Sequence, residues 1–179
     1  MIIVGYPGIG KTWASRTTNG GIIDLDSVYF RDRDDDSGWL GGEKGLRNYI
    51  WLVKTLHFYG KTILISSHKE VREALLAEKD LNKKKICYIC PDASMKDAWL
   101  NRLYNRWISS TEKKDWFAYK RALKNYESDV KDMISDRVYG VKVYIVSEED
   151  LKNGLFLYLI RNRIINYVPG MEVMNEDDD

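Results

Sequence analysis

The chain has 179 residues and a mass of 20.9 kDa, the size of one domain. Hydrophobic residues at 44% and charged residues at 31% are ordinary for a folded protein and exclude disorder throughout. Lys+Arg (28) and Asp+Glu (27) nearly cancel to +1, which excludes a coat of nucleic acid held by net charge but leaves room for a local basic cleft. No apolar run approaches the roughly 20 residues of a membrane span. The opening MIIVGYPGIGKT lacks the charged start, long apolar stretch and cleavage site of a signal peptide. A cytoplasmic chain with no membrane partner is expected. Cys87 and Cys90 have C-x-x-C spacing, but they fall in the apolar run Ile86-Cys87-Tyr88-Ile89-Cys90, and His57 and His68 are too distant to complete a zinc site. They read as two small buried hydrophobes.

Strand-like and helix-like segments alternate along the chain. Residues 1–4 are a short apolar strand ended by Gly5, and a helix starts at Lys11 and runs to Thr17. A second strand covers 21–26, followed by a polar, glycine-containing loop over 31–42. Helical spacing of Leu46, Tyr49, Ile50, Val53 and Leu56 predicts a helix over 43–59, stopped by Gly60. Residues 61–66 form a third strand whose unbroken apolar centre suits burial on both faces of a parallel sheet. A short helix over 69–79, a strand over 86–90, a helix over 95–107 and a mostly helical segment over 109–133 follow. A fifth strand covers 141–146, and a closing helix covers 151–167 with Leu155, Leu159 and Ile160 on one side. The acidic end, 169–179, reads as a solvated tail. Five short strands separated by helices indicate an α/β domain over 1–168 with a central parallel sheet. Ligands in such sheets bind beyond the carboxyl ends of the strands.

The first such rim carries Gly5-Tyr6-Pro7-Gly8-Ile9-Gly10-Lys11-Thr12, which fits G-x-x-x-x-G-K-[ST] at every fixed position. Glycines let the backbone turn its N–H groups inward around phosphate oxygens, and the helix start adds its positive dipole end. Gly5, Pro7, Gly8, Ile9, Gly10, Lys11, Thr12 and the following Trp13 are therefore the expected nucleotide-binding residues. Lys11 would reach the β- and γ-phosphates of ATP, and the Thr12 hydroxyl would ligate Mg²⁺. The second strand ends in Asp24-Leu25-Asp26-Ser27, where residues two apart point to the same side. One carboxylate would hold Mg²⁺, Asp24 being the metal candidate, and the other would take a proton from an attacking hydroxyl or orient a substrate. Which does which stays open at this point.

The loop GYPGIGKT, the strand IIDLDS, the later ISSHKEVR and an arginine-bearing helix together resemble small phage-type nucleotide kinases, in the nucleoside monophosphate kinase branch of the P-loop fold. The resemblance is specific at the loop and moderate at Asp24-x-Asp26. It implies a three-layer fold with five parallel strands in the order 2-3-1-4-5, a helical lid over roughly 95–133, and transfer of the γ-phosphate of ATP to a small acceptor. It also implies the host cytoplasm as the location of a phage-encoded chain. The third strand ends Ile65-Ser66-Ser67-His68, without the acidic residue that many P-loop enzymes carry there. That departure leaves Asp24 or Asp26 for the metal-linked role and weakens a motor ATPase or GTPase reading.

From Lys83 to Lys124 there are eleven Lys/Arg against four acids. Arg102 and Arg106 share a helix face, and with Arg121 they match the lid arginines of the resembled family, which clamp the triphosphate. The interleaved Trp99, Tyr104, Trp107, Trp116, Phe117 and Tyr119 read as packing residues. Ser66, His68, Arg72 and Arg47, with Asp26, are candidates for the acceptor. The leading expectation is an ATP-dependent kinase of a nucleoside or deoxynucleoside monophosphate. A second keeps ATP but moves the acceptor to the 5′-hydroxyl of a nucleic-acid end or to another small molecule. A third is a nucleotide-binding regulator without turnover. The oligomeric state is not legible.

Overall fold

Ile2, Ile3 and Val4 have no exposed surface, as a strand flanked on both edges and covered on both faces requires. They belong to β1 (Ile2–Gly5), the middle strand of five in the computed structural model, which describes residues 1–18, 21–30, 42–152, 154–162 and 164–165. With β2 (Ile22–Asp24), β3 (Thr62–Ser66), β4 (Ile86–Pro91) and β5 (Lys142–Val146) it forms an all-parallel sheet in the order β2-β3-β1-β4-β5. The unbroken apolar runs of β1, β3 and β4 bury both of their faces, whereas β5, at an edge, buries only Val146. Each fully buried Ile or Leu contributes about 1.5–3 kcal/mol of transfer free energy.

The helices are α1 (Lys11–Thr17), α2 (Gly42–Phe58), α3 (Lys69–Ala77), α4 (Lys96–Ser110), α5 (Lys113–Ser135), α6 (Glu148–Lys152) and α7 (Gly154–Arg161). The β1-to-β2 step runs toward one edge of the sheet, and the steps through α2, α3 and α4–α5 run the other way. Right-handed crossovers therefore put α1 on one face and α2, α3, α4 and α5 on the opposite one. The packing agrees: α7 lies on α1, while α2 lies on α3. Gly60, at φ +75°, ends α2 as its position in the sequence requires, and the N–H groups of Gly60 and Lys61 cap the carbonyls of His57 and Leu56.

Most expected elements agree with the structure to within a few residues. The closing helix does not: it begins at Glu148 and is divided, with Gly154, at φ +75°, opening the second piece. Leu155 and Leu159 of that piece are buried, as expected. Of the expected loop at 31–42, residues 31–41 lie outside the described residues and Gly42 opens α2, while the acidic tail at 169–179 lies outside the described residues. The segment over 109–133 resolves into the end of α4, a tight turn at Thr111 and Glu112, and α5. Cys87 and Cys90 are free thiols buried in β4, and burial pushes both up to about 12, which fits inert packing groups.

The register sets the level of the rim. Gly5 of β1 stands opposite Ser66 of β3 and Ile89 of β4, so the loops that follow β1 and β3 leave the sheet side by side. Tyr49 of α2 ties the neighbouring exits together. Its hydroxyl donates to the Leu25 carbonyl at 2.8 Å and accepts from the Ser66 amide at 3.2 Å. Replacing it leaves a half-buried amide and a carbonyl without that partner. Tyr49→Phe is expected to cost about 1–3 kcal/mol in urea unfolding, with no change in the m-value because the fold is retained.

Candidate functional site

After β1 the chain turns sharply through Gly5–Gly10. Gly8 has φ +85° and Gly10, the N-cap of α1, has φ +96°, a backbone region that glycine enters without cost. Space decides two of these positions as well. A Cβ on Gly5 would meet Ile9 Cγ2 at 2.9 Å and the Lys11 stem at 3.1 Å, and one on Gly8 would meet Leu103 Cδ2 at 2.9 Å. The loop closes on itself through the Ile9 amide, which donates to the Tyr6 carbonyl at 3.2 Å. Tyr6 and Ile9 are buried and anchor it from below.

From outside, α4 grips the same loop. Trp99 Nε1 donates to the Pro7 carbonyl at 2.8 Å, and Arg102 Nε donates to the Gly8 carbonyl at 2.9 Å, with its guanidinium 5.9 Å from the Trp99 ring. With the loop carbonyls turned outward to α4, the first-turn amides of Lys11, Thr12 and Trp13 have no acceptor within the helix. Trp13 is half exposed and rests on Gly154, where a Cβ would come within 2.6 Å of its ring.

Lys11 bends back over the loop, and its ammonium donates to the Gly5 carbonyl at 2.8 Å. Burial pushes it down to about 8; Asp24 and Asp26 pull it upward, and Arg106 adds to the lowering. Thr12 Oγ1 donates to Asp24 Oδ2 at 2.7 Å, bridging the start of α1 to the end of β2. Asp26 accepts from the Val28 amide at 3.1 Å, which shapes the short turn Ser27–Phe30, and faces Lys114 Nζ at 3.8 Å. Burial works to lower the Lys114 pKa, but Glu112, Asp26 and Asp115 outweigh it and hold it high. Arg102 has its pKa lowered by burial and then by its neighbour Arg106. Lys11, Arg102 and Arg106 thus crowd positive charge around exposed amides, an arrangement suited to a polyanion.

The structure brings together Gly5, Pro7, Gly8, Ile9, Gly10, Lys11, Thr12, Trp13, Asp24, Asp26, Arg102 and Arg106. It sets five candidates, Arg72, Arg47, Arg121, His68 and Ser66, elsewhere or to other uses. Arg72 is buried, with its guanidinium paired to Asp136 and near the Tyr88 ring. It is a core cation and is not presented to the rim. Arg47 is two residues from the buried Tyr49, or about 200° around the helix, and lines a groove between α2 and α3 with Leu46, Trp51, Ala74 and Glu78. Arg121 is held by Asp129 at 2.8 Å and by His68, the N-cap of α3, at the rim of β3. Ser66 spends its amide on Tyr49.

Lys114 and Asp115 were not singled out from the sequence, where they are two more charges in a basic run. Only the turn between α4 and α5 brings one to Asp26 and the other to Arg106. The aromatic residues at that end pack on one another, with Trp107 and Trp116 at 4.3 Å and Tyr104 and Tyr119 at 5.5 Å between ring centres. Among the described residues no three His, Cys, Asp or Glu side chains cluster as a metal site. The Thr12–Asp24 oxygens fit a hard cation that keeps most of its waters, as Mg²⁺ does, and no softer metal. No family model and no curated protein matches the chain.

Lys11 is expected to titrate near 8 by side-chain carbon NMR, well below the exposed lysines. Asp24→Asn removes a charge that holds the proton on, so the midpoint should fall further. A midpoint at the ordinary lysine value would contradict the burial described for Lys11.

Proposed function

We propose that this protein is an ATP-dependent kinase of the P-loop type and that its acceptor presents a hydroxyl group. The observation that carries the reading is the 2.7 Å hydrogen bond from Thr12 to Asp24 at the foot of a glycine loop whose lysine lies beside it. A glycine turn made only for shape needs neither the hydroxyl–carboxylate bridge nor a half-buried ammonium.

In this reading the amides of Lys11, Thr12 and Trp13 receive phosphate oxygens at the start of α1. Thr12 and Asp24 would hold Mg²⁺, which supplies charge neutralisation between the phosphates. The Lys11 ammonium exchanges the Gly5 carbonyl for the phosphoryl group in transfer and offsets charge that builds there. Arg106, a turn beyond the loop-bound Arg102, faces the same group. Asp24 is engaged with Thr12, so Asp26 is the carboxylate left for the acceptor. It orients the attacking oxygen and takes its proton as the new P–O bond forms and the bond to ADP breaks.

The acceptor assignment follows from charge. A monophosphate acceptor needs cations where it docks, and Arg47 and Arg72, the arginines expected to supply them, face away from the rim. A carboxylate beside the transferred group repels a phosphate and suits a hydroxyl, whether on a nucleic-acid 5′ end, a nucleoside or a small metabolite.

The test is purified protein with labelled ATP and Mg²⁺ against 5′-hydroxyl oligonucleotides, nucleosides, small polyols and nucleoside monophosphates. Transfer to a hydroxyl acceptor is expected. Transfer only to monophosphates would reverse the acceptor assignment, and transfer to none would end the kinase reading. Lys11→Ala should lower turnover by about 10²-fold or more. Asp26→Asn should lower kcat by about 10²-fold with little change in ATP affinity, whereas Asp24→Asn should mainly weaken Mg²⁺-dependent ATP binding.

A further inference from the structure

The turn between α4 and α5 is built around a carboxylate that the transfer reaction does not use directly. Asp115, in the first turn of α5, is buried, and both of its oxygens are engaged. Oδ1 receives Arg106 Nη2 at 2.7 Å, and Oδ2 receives the Ser110 hydroxyl at 2.6 Å. The Ser110 oxygen in turn accepts the Glu112 amide at 3.2 Å, and the Asp115 amide donates to the Glu112 carbonyl at 3.0 Å. Thr111, between them, is held at φ +55°, an unusual conformation for a β-branched residue. A left-handed backbone is unfavourable for a residue branched at Cβ, so the turn is held by its side chains.

What this lock holds in place is Arg106. Its guanidinium is substantially exposed while its partner is 8% exposed, so the cation reaches out of a buried anchor. One turn earlier on the same helix face, Arg102 is bonded to the Gly8 carbonyl. The i, i+4 spacing keeps Arg106 on that face, near enough to Lys11 that its charge adds to the lowering of the lysine's pKa. A free arginine at this helix position has many rotamers, and fixing one in advance removes that entropy from the cost of reaching the transition state.

We infer that Asp115 is a positioning residue that holds the Arg106 guanidinium over the Gly5–Thr12 loop, ready for the phosphoryl group in transfer. The inference rests on the kinase reading above. Asp115 touches no substrate and acts through Arg106 alone.

Three measurements on the full chain test it. Asp115→Asn keeps the size and one acceptor oxygen but replaces the other with an amide donor, which the Ser110 oxygen can accept, so it should fold; it should lower kcat by about 10–100-fold while the KM for ATP changes less than about threefold. Ser110→Ala, which leaves the Arg106 pair intact, should show a smaller loss of the same kind. It serves as the readout if Asp115→Asn unfolds. In a cycle, Arg106→Ala with Asp115→Asn should be no slower than Arg106→Ala alone. Added guanidinium ion should rescue Arg106→Ala, and should raise its melting temperature without any substrate, but should do neither in the double variant. Wild-type turnover in a folded Asp115→Asn protein, additive losses in the cycle, or equal rescue with and without Asp115 would each overturn the assignment. A wild-type protein that transfers no phosphoryl group to any acceptor, while guanidinium still stabilises Arg106→Ala through Asp115, would remove the kinase reading and the catalytic purpose of the lock, leaving only a structural ion pair.

Discussion

The close approach of backbone to side chains at Gly5 and Gly8 is the constraint on which the rim depends. With hydrogen in place of Cβ, the Lys11 stem and Ile9 lie directly on Gly5, and Leu103 and Trp99 lie directly on Gly8. The loop is therefore clamped between the sheet and α4, with its carbonyls drawn to Arg102 and Trp99 on the outside. Because C=O and N–H point opposite ways across a trans peptide, the outward Pro7 and Gly8 carbonyls turn the Gly8 and Ile9 amides away from α4, and the Ile9 amide closes on the Tyr6 carbonyl. The positive character of the loop thus follows from packing, before any charged side chain is counted.

Charge placement then follows from which elements border that clamp. β1 is central, so its exit is flanked by β3 and β4, and Asp24, at the end of β2, reaches it across β3 through Thr12. Two aspartates two residues apart have different neighbours. Asp24 meets a hydroxyl on α1, whereas Asp26 meets a backbone amide in its own turn and the ammonium of Lys114 across the cleft. Their strand-end spacing allowed either to serve the metal. The partner on α1, not the spacing, gives the two carboxylates different surroundings.

The sheet was legible because its strands are continuous apolar runs with nothing polar to place, as Ile63-Leu64-Ile65 and Ile86 to Cys90 illustrate. The glycine loop was legible because its chemistry is local: every required group lies within eight consecutive residues. The break at Gly154 was missed because the apolar spacing continues across it; its cause is the Trp13 ring, 141 positions earlier in the chain, which leaves no room for a side chain there. The arginines divide along the same line. Arg102 is close to the loop because α4 packs on it, and Arg72 is removed from the rim because Asp136, 64 residues later, takes its guanidinium into the core. Nothing in the residues around Arg72 signals a partner so far along the chain.

The same long-range logic explains why a short basic stretch holds two kinds of cation. Arg106 and Arg121 are both paired with carboxylates and both lie near the rim, yet their anchors differ in consequence. Arg121 is tied along its own helix to Asp129 and across to His68, so it joins α5 to the start of α3 and is spent on holding elements together. Among the described residues, Arg106 is tied at one nitrogen, to a carboxylate whose second oxygen is already satisfied by Ser110. A guanidinium has five donors. One bond to a buried anchor fixes its direction and leaves most of the others for a ligand. A pair with an exposed cation and a buried carboxylate adds little stability, since desolvating the carboxylate offsets much of the attraction; in the proposed function its worth lies in keeping a cation beside Lys11 and Arg102. That arrangement holds positive charges together at a cost in the free protein, and in the proposed function a polyphosphate entering the loop would relieve the repulsion.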